Sequence, residues 1–194
     1  MTTCDKIDSV LSEKECFEFK KIFLKNSYTL TDLGDKCYGI DINNKLSYPW
    51  FNKIFWPKIT KYFDEDLKLI YASYASFTKP FSVHRDDFKT IPNNKKGTNY
   101  LSLLIPISVD NNKDLCSLAS TIVFKQQKNP NAKQDHENYL SHCHVEELYN
   151  RSIDRIFQWK IGDMIWWKSE VDHCSSHFKN FSSKESFVIH TYVE

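Results

Sequence analysis

The chain lacks the long apolar run that a membrane-spanning helix requires. No stretch of its 194 residues approaches the roughly 18 consecutive apolar residues of such a helix, and its mean hydropathy is −0.53. The N-terminal residues lack the apolar core of a secretory signal peptide. Hydrophobic residues still make up 41% of the chain, which excludes a disordered protein. We therefore expect a soluble globular protein of the cytoplasm with a single domain over residues 1–194.

An excess of charge of one sign and closely spaced cysteine pairs are also missing. The formal net charge is +1, so the composition does not favour nucleic acid as a partner. The six cysteines form no C-x-x-C pair, a pattern typical of reduced thiols in a cytosolic protein. Side chains of types that bind zinc occur at His136, His142, Cys143, His144 and Cys174. Their spacing matches no zinc-site template, and so the sequence does not predict a zinc site.

Glycine and proline are scarce, at four and six residues, and the first third of the chain reads as helical. Apolar residues recur at helical spacing from about Ser12 to Asn26, where Ser12 and Glu15 have the spacing of a capping box. A second helical stretch runs from about residue 50 to 63, and Pro57 should kink it or move its start. We expect a helical support over about residues 1–66.

After about residue 67 the chain changes to short strand-like runs separated by polar turns. Strands are predicted near Leu67–Ser76, Ser82–Asp86, Tyr100–Val109, Ser120–Phe124, Arg155–Trp159, Met164–Lys168, His173–His177 and Phe187–Val193. Helices followed by many short strands favour an antiparallel sandwich or barrel over about residues 67–194. The polar segment Lys125–Asn150, with a short helix predicted near Val145–Tyr149, and the loop Lys89–Asn99 are candidates for substrate selection.

The tripeptide His84-Arg85-Asp86 carries the first chemical signal. Residues i and i+2 of a strand project to the same face, so His84 and Asp86 would point together and Arg85 away from them. An imidazole and a carboxylate are two ligands for a divalent metal, and a second imidazole would complete a facial triad with open positions on iron(II). Taken alone, H-x-D is a weak signal, because such tripeptides arise by chance.

The C-terminal part of the chain strengthens this signal. His173 follows the first pair by 89 residues, after a Gly162-Asp163 turn and an apolar strand. Lys184 lies eleven residues past His173, and Ser186 follows it at the start of the last strand. At this point the sequence resembles the iron(II)/2-oxoglutarate-dependent dioxygenase superfamily, in particular prolyl-hydroxylase and phytanoyl-hydroxylase-like members. That family's pattern is H-x-D/E, a distal His preceded by a Gly-Asp strand, and Arg or Lys about ten residues later.

The resemblance implies a fold that is mainly β with α: a double-stranded β-helix, or jelly-roll, barrel buttressed by N-terminal helices. It implies iron(II), 2-oxoglutarate and dioxygen as cofactor and cosubstrates. The expected reaction hydroxylates a small-molecule or peptide substrate and releases succinate and carbon dioxide. The substrate and the oligomeric state are not predicted.

The resemblance also assigns roles to individual side chains. The implied iron ligands are His84, Asp86 and His173. Lys184 would hold the distal carboxylate of 2-oxoglutarate, with Ser186 assisting. Tyr74, Tyr100 and Ser102 are candidates, by position, for further hydrogen bonds to that carboxylate.

Alternatives remain open for the ligands and for the function. Asp87 and His177 are the other candidate ligands; strand alternation favours Asp86, and the interval to Lys184 favours His173. His190 is expected to be a packed core or rim residue. A non-catalytic cupin-like or lectin-like binding module, or a metal enzyme without a cosubstrate, would need no buried cation at position 184.

Overall fold

The structure, a computed structural model, describes residues 3–26, 28–32, 35–41, 49–86, 99–126 and 140–193. Its strands are β1 (Cys4–Ile7), β2 (Tyr28–Asp32), β3 (Asp35–Asp41), β4 (Leu67–Phe77), β5 (Asn99–Val109), β6 (Ser120–Phe124), β7 (Ile153–Gln158), β8 (Met164–Lys168), β9 (His173–Ser175) and β10 (Lys184–Val193). Its helices are α1 (Glu13–Asn26), α2 (Trp56–Thr60) and α3 (Val145–Leu148). A π-helical turn, Phe51–Phe55, precedes α2, and a 3-10 turn, Lys113–Leu118, precedes β6. No helix within these ranges is long and apolar enough to cross a membrane.

The strands form two antiparallel sheets. The larger sheet has the order β1-β8-β5-β10-β4-β3-β2, and the smaller has the order β7-β6-β9. His84 and His173 exchange two backbone hydrogen bonds of 3.0 Å, so the chain after β4 runs beside β9 at the edge of the smaller sheet. Residues of both sheets line one cavity between them. Two facing antiparallel sheets of this kind form a jelly roll, which confirms the predicted fold class.

The strands predicted after residue 67 are present, except that Ser82–Asp86 is reduced to the single bridge at His84. The support before residue 67 is not purely helical, because β1, β2 and β3 also belong to the larger sheet. Strand β1 is only four residues long, and it is extended because it pairs with β8 in the register Cys4↔Trp167. Tertiary pairing of this kind overrides local propensity, so the sequence pattern does not reveal it.

Helices α1 and α2 cover the outer face of the larger sheet. A capping box starts α1: the Ser12 backbone N–H donates to Glu15 Oε2 at 2.8 Å, and the Glu15 N–H donates to Ser12 Oγ at 3.3 Å. The second helical stretch starts before Pro57: residues 49–50 are α-helical, the π-helical turn follows, and α2 continues it with Pro57 in its first turn, so the start is not shifted. The ring of Phe187 on β10 lies 5.2 Å from that of Phe23 on α1. The helices therefore bury one face of the sheet and leave the other to face the cavity.

The Gly162-Asp163 turn ties the N-terminal segment to β8. Gly162 has φ +77°, and a Cβ there would lie 2.0 Å from the backbone oxygen of Leu11. Asp163 is fully buried; its Oδ1 accepts from the Ser9 N–H at 2.9 Å, and its Oδ2 accepts from Lys6 Nζ at 3.1 Å. Only glycine permits both this backbone conformation and this close approach.

We expect Gly162→Ala to lower the free energy of unfolding by roughly 2–4 kcal/mol, because the methyl group strains φ and collides with the backbone of the β1–α1 connection. Urea denaturation at neutral pH measures this. The matched control is Lys160→Ala, two residues away and exposed, which should change the free energy by less than about 0.5 kcal/mol. An equal effect of the two substitutions would contradict the assigned close contact.

Candidate metal and anion site

A cavity of about 230 Å³ lies between the two sheets. Its lining combines metal-ligand side chains, one lysine, two hydroxyl-bearing residues, one cysteine and apolar or aromatic groups: Phe77, Phe81, His84, Asp86, Leu104, Thr121, Trp167, His173, Cys174, Ser175, Lys184, Val188 and His190. His84, Asp86, His173 and Lys184, from three separate stretches of the chain, thus meet in one cavity.

His84, Asp86 and His173 form a compact group of metal-ligand atoms. One ligand atom from each lies within 4.8 Å of the other two. The Nε2 atom of His173 is 3.6 Å from Oδ2 of Asp86, and the two imidazole centroids are 4.2 Å apart. Ligand atoms that share an ion at bond lengths of about 2.1 Å lie roughly 3–4 Å apart, so the group fits a single divalent cation.

Backbone carbonyls set the tautomer of both imidazoles. Nδ1 of His84 lies 2.8 Å from the carbonyl oxygen of Ser82, and Nδ1 of His173 lies 3.0 Å from that of Val171. A carbonyl oxygen only accepts, so each Nδ1 carries the proton and donates it. Each Nε2 is then left with a lone pair for a metal, the arrangement that supports metal-binding histidines in general.

Two donors orient the carboxylate of Asp86. Ser102 Oγ donates to Oδ2 at 2.6 Å, and Trp167 Nε1 donates to the same oxygen at 2.9 Å. Burial opposes ionisation of Asp86, but the neighbouring imidazoles and these two hydrogen bonds outweigh it and hold the pKa below its ordinary value. Burial lowers the pKa of His173 to about 4. At neutral pH the group therefore offers a carboxylate and an unprotonated imidazole, as metal binding requires.

The ammonium group of Lys184 lies in the same cavity, and only 3% of the residue is exposed. Nζ donates to Ser175 Oγ at 2.7 Å and lies 4.6 Å from the ring centroid of Trp159. Within the part of the chain that the structure describes, no carboxylate forms an ion pair with it. Burial lowers the pKa of Lys184 to about 7. An anion that enters the cavity would supply the missing counter-charge.

Ser186 lies on the same face of β10 as Lys184, by strand alternation. It is fully buried, and its Oγ has no hydrogen-bond partner among the described residues. Ser186 is not among the residues that line the cavity, so its part in binding the carboxylate stays a prediction.

Three other predicted contacts to the cosubstrate carboxylate need correction. The hydroxyl of Tyr74 donates to Glu185 Oε1 at 2.7 Å on the helix side of the larger sheet, so Tyr74 points away from the cavity. Tyr100 lies beside Tyr192, with ring centroids 6.3 Å apart, and does not line the cavity. Ser102 does reach the site, but its hydroxyl is bonded to Asp86 and lies on the metal side.

The structure also adds residues that sequence reasoning did not assign. Trp167 holds Asp86 through its indole N–H, and Ser175 accepts the hydrogen bond of Lys184. His190 lines the cavity with Nδ1 3.0 Å from Ser102 Oγ and is not part of the metal-ligand group, in agreement with the packed core or rim residue that was expected. Strand alternation was the available signal: Ser175 follows His173 at i+2, and His190 lies on the same face of β10 as Lys184 and Ser186.

The structure describes only one of the two alternative ligands, His177 and Asp87. His177 lines a separate surface groove with Ser120 and Gln158, so the geometry supports His173 instead. Asp87 lies outside the described residues, as do most of the Lys89–Asn99 loop and the central part of the Lys125–Asn150 segment. The short helix predicted in that segment is present as α3.

No protein-family model and no curated protein matches the chain. Among solved structures it is similar to the non-heme alpha ketoglutarate dependent carbocyclase SnoK from nogalamycin biosynthesis, at 11% identity and a TM-score of 0.61, over 98% of this chain and 80% of that one. HygX from Streptomyces hygroscopicus, with nickel and 2-oxoglutarate bound, gives 14% identity and a TM-score of 0.61, over 98% and 82%. EvdO2 from Micromonospora carbonacea var. aurantiaca, complexed with 2-oxoglutarate, gives 10% identity and a TM-score of 0.59, over 99% and 86%. At these identities the likeness shows a shared fold.

The buried ammonium group predicts a pH-dependent cost to stability. The folded pKa of about 7 is below the ordinary 10.5, so the unfolded chain binds more protons between these values, and stability should rise with pH across that window. In anion-free buffer at pH 6 we expect Lys184→Met to raise the free energy of unfolding by roughly 1–4 kcal/mol. The gain should shrink towards pH 10.

Urea denaturation at several pH values measures this difference between the variant and the wild type. Lys160→Met, at an exposed lysine, is the matched control and should leave the pH profile unchanged. A gain that does not depend on pH would show that packing, and not the buried charge, is responsible.

Proposed function

We propose that the protein is an iron(II)- and 2-oxoglutarate-dependent dioxygenase that hydroxylates a small-molecule or peptide substrate. The observation that carries the proposal is a buried lysine, without a carboxylate partner in the described chain, in the same cavity as two imidazoles and a carboxylate. A metal enzyme without an anionic cosubstrate needs only the triad. The pairing of triad and lysine favours a cosubstrate that chelates the metal and carries a second carboxylate.

The donor set fits iron(II). Two imidazoles with free Nε2 lone pairs and one carboxylate form the facial triad that leaves adjacent coordination positions open. When bound, iron(II) with 2-oxoglutarate and dioxygen supplies the oxidising power for hydroxylation, with loss of carbon dioxide and formation of succinate. In this proposal His84, Asp86 and His173 hold the ion. Ser102 and Trp167 keep the carboxylate oriented through hydrogen bonds of 2.6 and 2.9 Å.

The lysine side of the cavity fits the distal carboxylate of 2-oxoglutarate. Lys184 supplies the positive charge, Ser175 accepts its hydrogen bond, and Ser186, on the same face of β10, is proposed to assist. An incoming carboxylate would restore the protonated ammonium state that burial disfavours. The apolar side chains of Phe77, Leu104 and Val188 line the same cavity and exclude water from the bound cosubstrate.

The likeness to SnoK bears on the class of substrate. SnoK is described as a carbocyclase from nogalamycin biosynthesis, which favours a small molecule for a chain of the same fold. The narrower likeness to prolyl- and phytanoyl-hydroxylases stays a prediction, as do the cytoplasmic location and the single-domain organisation.

An anaerobic titration with iron(II) and then 2-oxoglutarate tests the proposal. We expect a weak metal-to-ligand charge-transfer band in the visible region, and succinate should accumulate once oxygen is admitted. His84→Ala or Asp86→Ala should abolish the band and lower succinate formation by more than about 100-fold, because each removes a ligand. His177→Ala, which changes a histidine of the separate groove, should leave both readouts intact.

Absence of the band and of succinate from the wild-type protein would exclude this enzyme and leave the non-catalytic binding module as the better interpretation. A band that survives in Asp86→Ala would contradict the ligand assignment alone.

Lys184→Met separates the cosubstrate from the metal. We expect this variant to bind iron(II) like the wild type, because Lys184 belongs to the anion side of the cavity. Its Kd for 2-oxoglutarate should rise roughly 100-fold, since the carboxylate would be buried without a counter-charge. Following the charge-transfer band as 2-oxoglutarate is added measures this Kd. An unchanged Kd would exclude Lys184 as the carboxylate partner.

A further inference from the structure

A second group of metal-ligand side chains lies on the opposite face of the strand that carries His173. One ligand atom each from His142, Cys143 and Cys174 lies within 4.8 Å of the other two. Successive side chains of a strand point to opposite faces, so Cys174 turns away from the triad as its neighbour His173 turns towards it. The group shares no ligand with the candidate iron site, although Cys174 also borders the cavity and one backbone strand serves both.

From this group we propose a site for a soft divalent cation of the zinc class, held by the two thiolates and the imidazole. Thiolate and imidazole are the ligands that zinc prefers, whereas the oxygen-containing triad suits iron(II). Cys174 is 1% exposed and Cys143 is 9% exposed, so the sulfur atoms are shielded from solvent. The remaining position of a tetrahedral ion is left for water.

His142 can supply an imidazole lone pair to a metal ion. Nε2 of His142 lies 3.0 Å from the carbonyl oxygen of Phe81, so it carries the proton and donates it, and it lies 3.3 Å from Sγ of Cys143. Nδ1 of the same ring is buried and has no hydrogen-bond partner among the described residues. Nε2, and not Nδ1, is the ring atom that faces a thiol, so an ion shared with Cys143 would bind Nε2 and replace its hydrogen bond to Phe81, with the ring proton moving to Nδ1.

The proposed complex has no net charge, and the residues around it are apolar. Ile122, Phe124 and Leu148 pack with both cysteines into an apolar cluster. When the cation binds, each thiol releases one proton to solvent and forms one metal–sulfur bond, and the imidazole donates its lone pair without change of charge. Two thiolates then balance the doubly charged ion. A neutral complex avoids the large desolvation cost of an isolated charge in such a cluster.

Such an ion would join two separate segments of the chain. His142 and Cys143 lie in the turn before α3, and Cys174 lies on β9. The metal would fix the segment before α3 against the outer face of the smaller sheet. This proposal does not depend on the function proposed for the cavity.

Cobalt(II) is the probe, because thiolate coordination gives it intense near-ultraviolet charge-transfer bands that oxygen and nitrogen ligands do not. The reduced, chelator-treated full chain is titrated anaerobically with cobalt(II), and then zinc(II) is added. We expect one thiolate-ligated cobalt ion per chain, displaced by zinc.

Three variants test the ligand assignment. His84→Ala should keep the thiolate-to-cobalt band although it removes a ligand of the triad. Cys143→Ser should lose it, with one cobalt ion fewer per chain, whereas Cys116→Ser, at a buried cysteine in another cluster, should keep it.

Thiol alkylation of the wild type supplies a readout that does not depend on the folding of a variant. Zinc(II) should slow modification of Cys143 and Cys174 by at least about tenfold relative to Cys116 in the same sample. Absence of the cobalt band from the reduced wild type, or equal protection of all three thiols, would overturn the proposal. A Cys143–Cys174 disulfide in a protein that binds no zinc would also overturn it and identify a redox pair.

Discussion

The unpaired ammonium group of Lys184 constrains the rest of this structure. It lies on β10, a strand hydrogen-bonded on both sides by β4 and β5, so it cannot swing out to reach water without disrupting the larger sheet. Its side chain is packed among the rings of Trp159, Phe178 and Phe77 at 4.6–6.0 Å. Retaining a charge in such a position is costly to stability, and the cost is offset when an anion enters the cavity.

Glu185, the residue after Lys184, is a buried charge whose hydrogen bonds are satisfied. Glu185 projects to the opposite face of β10, where it accepts hydrogen bonds from Tyr74, Ser108 and Lys20 at 2.7, 2.5 and 2.6 Å. Burial works against its ionisation, but these donors outweigh it and hold the pKa below the ordinary value. Two neighbouring side chains of one strand thus differ in role: Glu185 fastens α1 to the sheet, and Lys184 is left for a ligand. This contrast indicates that the lysine at position 184 does not serve the stability of the fold.

The parts of the site that follow from local rules could be predicted from the sequence. Strand periodicity of two was enough to place His84 with Asp86, whereas the pairing of His173 with Lys184 came from the family pattern that the sequence resembles. The hydrogen bonds of Trp167 and Ser102 to Asp86 depend on how β8 and β5 lie against the edge of the smaller sheet, which no local pattern encodes. The wrong assignment of Tyr74 has the same origin, because periodicity groups the residues of a strand by face but does not say which face is covered by helices.

Contacts outside the cavity position the three candidate metal ligands. The backbone bridge between His84 and His173 sets the two imidazoles side by side. Beyond it, Arg85 Nε donates to Asp172 Oδ1 at 2.7 Å, so the residue between two ligands is tied to the residue before the third. Arg85 is 55% exposed, so this ion pair adds little to stability, and its value lies in fixing geometry. When the ligands are held in place by the fold, metal binding loses little free energy to ordering them. This favours tight binding although β9, which carries His173, is short.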